Sequence, residues 1–92
     1  MKYQTSQKEK EFIKAKIEEF IRTQKPVNFT GTTISPYNLR FALRDDFGFE
    51  EAEFDANSMD YWWSFTRKDI GHVTMSFSAE SFELILEKDE DE

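Results

Sequence analysis

The sequence predicts an α+β domain: two helices packed on one face of a four-stranded antiparallel meander, with a short extra edge strand at 27–30. Three observations carry this. Apolar residues recur at helical spacing over 6–24 and again over 35–48. From residue 49 onward they recur at every second position. The strand-like runs are separated by turns too short for the crossover that parallel strands need.

Over 6–24, Ile13, Ile17, Phe20 and Ile21 form one apolar stripe with Phe12 at its edge. Ser6 followed by Glu9 fits a capping box, Glu18 stands four residues before Arg22, and Pro26 stops the helix. Val27 and Phe29 alternate in "PVNFT", which gives the edge strand, and "GTT" is a connector. Asn28-Phe29-Thr30 fits a glycosylation pattern that chance explains.

The second helix spans 35–48. Ser35 suits the N-cap, Pro36 the first turn and Gly48 the position just past the end. Leu39, Ala42, Leu43 and Phe47 make its core face. Tyr37, Arg40, Phe41 and Arg44 make a second face of aromatics and arginines.

Strands follow at 49–55, 59–67, 72–78 and 82–87. Their core-facing residues are Ala52 and Phe54; Met59, Tyr61, Trp63 and Phe65; Val73, Met75 and Phe77; and Phe82, Leu84 and Leu86. Requiring apolar faces to coincide gives a register. A loop at 55–58 pairs Phe54 with Met59 and Ala52 with Tyr61. An odd-length loop around "KDIG" sets Phe65 opposite Val73, with Gly71 in a left-handed or bulge position. A loop at Ala79-Glu80 pairs Phe77 with Phe82, Met75 with Leu84 and Val73 with Leu86.

Composition supports one folded domain over 1–87 and an acidic disordered tail over 88–92. Charged residues are 34% of the chain, but 16% aromatics, ten of them Phe, supply a core. Formal net charge is −7 and unevenly spread: residues 1–25 carry +3, residues 26–86 carry −6 and "EKDEDE" carries −4. There is no cysteine, which excludes disulfides, thiolate metal sites and a cysteine nucleophile. With no apolar run of membrane-spanning length and no secretion signal, a cytoplasmic location is expected, with no membrane contact.

No catalytic or cofactor pattern emerges. His72 stands alone as the one histidine, and the spacing of Asp55, Asn57 and Asp60 does not fit an EF-hand. Three glycines write no phosphate-binding loop. We therefore expect a non-enzymatic protein with no cofactor and no metal.

The remaining signal is the open sheet face. Alternation sends Trp63 to the core and Trp62 to the other side. The derived register lists Phe49, Glu51 and Glu53; Asp60, Trp62, Ser64 and Thr66; His72, Thr74 and Ser76; and Glu83, Ile85 and Glu87 on that side. It sets Glu51 opposite Trp62, Glu53 opposite Asp60, and Ser76 and Glu83 in the row of Trp62. One aromatic ringed by carboxylates has the anatomy of an interface anchor.

Trp62, Glu51, Glu53, Asp60, Glu83 and Ile85 are thus the expected partner-binding residues, facing a protein with a basic surface. Nucleic-acid enzymes carry such surfaces. An acidic domain that occupies one acts as a nucleic-acid mimic, in the style of the small inhibitors of phages and mobile elements. A first alternative is direct nucleic-acid binding, or transcription regulation, through the basic first helix and the face of Tyr37, Arg40, Phe41 and Arg44. A second is a homodimer that buries Trp62, Ile85 and Phe49. Monomer and homodimer both remain open at this point.

Overall fold

The computed structural model describes residues 7–29 and 34–89. Ser6 as a helix cap, Thr30 at the end of the edge strand and of the glycosylation pattern, the 31–33 connector and residues 90–92 lie outside the described residues.

Helix α1 spans Gln7–Thr23. Ile13, Ile17 and Phe20 are its buried residues, with Ile21 packed at the margin of the core. The helix ends three residues before Pro26, because Gln24 adopts a left-handed conformation with φ 56°. The Gln24 N–H still donates to the Phe20 carbonyl at 2.7 Å. Strand β1, Val27–Asn28, follows.

Helix α2 spans Pro36–Phe41. The Ser35 hydroxyl accepts from the Tyr37 N–H at 3.1 Å, the expected N-cap. The helix then widens into a π-helical turn at Ala42–Asp46. Leu39, Ala42 and Leu43 remain in the core. Gly48, at φ 73°, takes the left-handed place beyond the end.

The meander is β2 (Glu50–Ala56), β3 (Asp60–Arg67), β4 (Gly71–Ser78) and β5 (Glu83–Lys88). The five-stranded sheet runs β1-β5-β4-β3-β2, with every pair antiparallel. The core lies between helices and sheet, where Phe20, Phe29, Phe49 and Phe65 are fully buried. Each such ring contributes roughly 1.5–3 kcal/mol. Among the described residues no buried side-chain polar atom lacks a partner.

The central hairpin follows the expected register. Phe65 faces Val73 and Arg67 faces Gly71 around a three-residue loop, with Gly71 at φ 103°. The outer hairpins keep their faces but slide.

Between β4 and β5, Met75 faces Leu86 and Phe77 faces Leu84, a two-residue shift. A two-residue loop at Ala79-Glu80 would need positive φ at a central position, which neither residue favours. The chain instead uses four residues, with the Phe82 N–H on the Ser78 carbonyl at 2.7 Å and Phe82 itself at φ 59°. Phe82 therefore leaves the core and is 72% exposed.

Between β2 and β3 the hairpin is set by Asn57. Its side-chain oxygen accepts from the N–H groups of Met59 (3.1 Å) and Asp60 (2.9 Å). This centres the turn at Ser58-Met59, pairs Ala56 with Tyr61 and Phe54 with Trp63, and leaves Met59 exposed in the turn. A bulge between Glu51 and Glu53 then turns the start of β2 over. Phe49 enters the core and Glu51 faces Phe65, on the helix side.

The last strand ends one residue later than expected. Lys88 belongs to β5 and its Nζ donates to Gln24 Oε1 at 2.9 Å. The Asp89 N–H donates to the His72 carbonyl at 2.9 Å.

Candidate functional site

The side of the sheet away from the helices can be read in rows from the pairing. Asp60 faces Ser78, which faces Glu83. Next comes Asp55, Trp62, Ser76, Ile85 and Asn28. Then Glu53, Ser64, Thr74 and Glu87, and finally Glu50, Thr66 and His72. The Thr74 hydroxyl donates to Asp89 Oδ1 at 2.6 Å, which brings one more carboxylate to this side.

Two features stand out in these rows. By register no Lys or Arg of the described strands belongs to this face, and Lys88, which borders it at the end of β5, sends its ammonium to Gln24. The carboxylates lie mostly on the edge strand β2 and on β5, while Ser64, Thr66, Thr74, Ser76 and Ser78 floor the strands between them. Three strand spacings separate β2 from β5, so the acidic rails stand about 14 Å apart. Trp62 is the large aromatic between them, 36% exposed. It stands between two shallow hollows, one lined with Thr74, Glu87, Lys88 and Asp89, the other with Asp60, Ser78 and Glu83.

The structure therefore places Trp62, Glu53, Asp60, Glu83 and Ile85 on the expected face but rearranges their neighbours. The residue opposite Trp62 is Asp55, not Glu51. Ile85, not Glu83, shares its row. Glu53 faces Ser64 rather than Asp60, so the expected like-charge pair does not form. Asp55 was missed as a neighbour because apolar matching slid the hairpin. The Asn57 turn was the signal that could have found it.

Glu51 does something else. Its Oε1 accepts from Arg40 Nε at 2.9 Å and lies 3.7 Å from an Arg44 terminal nitrogen. Arg40 and Arg44 also stack on the Phe41 ring, 5.6 and 5.2 Å from its centre. The arginines of the second helix face are thus engaged within the molecule. Tyr37 packs edge-on against Trp63, with ring centres 5.9 Å apart.

A cleft that the sequence did not announce lies on the helix side, at the end of the sheet. It encloses about 390 Å³ and is lined by Phe29, Tyr37, Tyr61, Trp63, Phe77 and Phe82 among others. Alternation had assigned several of these to a closed core. The short α2 leaves this end of the sheet less covered, and Tyr37 is more than half exposed there.

Among the described residues no group of three His, Asp or Glu side chains is placed to hold a metal ion. No helix among them is long and apolar enough to cross a membrane. Comparison with protein-family models, curated proteins and solved structures finds no match.

Proposed function

We propose that the chain is a non-enzymatic docking module whose open sheet face receives a basic surface of another protein, with Trp62 as the anchor. The observation that carries this is the sign of that face. Glu50, Glu53, Asp55, Asp60, Glu83 and Glu87 share it, and the cation at its border, Lys88, turns its ammonium to Gln24. Such a field speeds encounter with a cationic partner and weakens as salt rises. A tryptophan between hydroxyl-floored hollows supplies the apolar contact that charge alone lacks. A nucleic-acid-binding enzyme is the natural class of partner, because its phosphate-binding surface is basic. Occupying it would make this chain a competitor of nucleic acid.

The test is affinity capture from the source cell with the wild type beside Trp62→Ala and the charge reversal Asp55→Lys. A partner should be captured by the wild type and lost by both variants. Its affinity, measured with purified protein, should fall steadily with salt. Equal capture by all three folded proteins would overturn the reading.

Self-association through this face is disfavoured, because it would bring carboxylates against carboxylates. Phe49, expected to contribute to such a dimer, is buried beneath the helices.

A further inference from the structure

We propose that the outer edge of β2 captures an extended segment of the basic partner as a sixth strand of the five-stranded sheet. In that segment basic residues alternate with aromatic or apolar ones. This rests on the reading of the open face as a dock for a basic protein, and specifies which part of that protein is held and how.

The backbone gives the first argument. β2 ends the sheet, and among the described residues no strand pairs with its outer edge. The Asn57 N–H donates to the Asp60 carbonyl at 2.9 Å, so in the antiparallel ladder Asn57, Asp55 and Glu53 turn their backbone groups toward β3. Phe54 and Ala56 turn theirs outward. The Ala56 N–H is taken by Asp55 Oδ1 at 2.9 Å. Phe54 is left as the residue that presents both a donor and an acceptor to an incoming strand. The bulge beside Ala52 bends the strand away and limits pairing to the stretch after it.

Side chains give the second argument. On the open face this stretch carries Glu53 and Asp55, which sets the charge of the incoming residues on that side. On the helix face it carries Phe54, 52% exposed. Phe54 stacks with Tyr61 at 6.4 Å and Tyr61 with Phe77 at 6.1 Å. This aromatic ladder runs across the sheet and is open at its β2 end. An aromatic or apolar residue set opposite Phe54 would extend it, and its flanking neighbours would meet the carboxylates.

A second copy of the chain is a poorer occupant. Antiparallel self-pairing about Phe54 would set Glu53 against Asp55 twice, and pairing about Asp55 would set it against itself. Opposite charge is what the edge asks for.

The probe is a short synthetic peptide alternating lysine with tyrosine and threonine, titrated at low salt into the isotope-labelled chain. A control peptide keeps the lysines but separates them with proline, which cannot complete a ladder. The alternating peptide should bind and slow deuterium exchange of the Phe54 amide by at least about tenfold. Asp55→Lys, at an exposed position and with its fold checked by amide chemical shifts, should weaken it by at least about tenfold. If both peptides shift the Trp62 and Ser76 resonances while Phe54 exchange stays unchanged, the edge proposal is overturned and the open-face reading survives. If neither peptide binds, both fail. A chain that is dimeric with Phe54 already protected would show that a second copy occupies the edge, which also overturns the proposal.

Discussion

Trp62 and Trp63 are adjacent in sequence and separated by the thickness of the sheet. Trp63 is 3% exposed and touches Tyr37, Phe54 and Tyr61. Truncation to alanine at Trp63 should cost about 3–5 kcal/mol, against about 1 kcal/mol at Trp62, by urea denaturation. Quenching gives a second measure. In Trp63→Phe the remaining indole should be quenched by neutral acrylamide and by caesium more than by iodide, because its surroundings are anionic. Equal response to both ions would contradict the acidic setting. Glu51 shows the reverse case, an acidic residue that alternation assigned to the open face. One extra residue in β2 sends it to Arg40 and Arg44, where it holds α2 against the sheet.

At the scale of elements, the turns decide more than the strands. The central hairpin was legible because Gly71 marks a positive φ and the loop length must be odd. The β4–β5 hairpin was not, because its left-handed position is filled by Phe82, a residue that gives no such signal. That position carries a testable cost. Phe82→Gly should raise stability by about 0.5–1 kcal/mol by removing the left-handed penalty, net of glycine's own entropy. Phe82→Ala should not, since it keeps the penalty. A stabilising alanine or a destabilising glycine, by thermal or urea denaturation, would contradict this account. Both helices were legible from the 3.6-residue stripe and from Ser35, Pro36 and Gly48. The π-helical turn at Ala42–Asp46 was not, since its apolar pattern matches that of an α-helix.

Across the whole molecule, charge and architecture divide the surface. The helices cover one side of the sheet, and the other side is acidic. Of the residues expected to contact nucleic acid, Arg40 and Arg44 of the second helix face share Glu51. With a net charge of −7, the chain should show no appreciable affinity for mixed-sequence DNA or RNA even at low salt. Fluorescence anisotropy with labelled oligonucleotides checks this, and robust binding would favour the regulator alternative. A basic protein surface should show the opposite behaviour, with tight binding at low salt that weakens as salt rises.

The sequence by itself determined the class of fold, the face of nearly every strand residue after the bulge, and the parting of the two tryptophans. Those follow from local periodicity, which each segment carries alone. Only the tertiary structure decided who sits beside Trp62. That depends on where each hairpin turns and on whether a strand admits an extra residue. Several registers bury the same apolar faces almost equally well, so periodicity does not choose among them. The Asn57 side-chain bonds and the left-handed Phe82 choose from within the turns, and the bulge between Glu51 and Glu53 chooses through pairing that exists only once the strands have met.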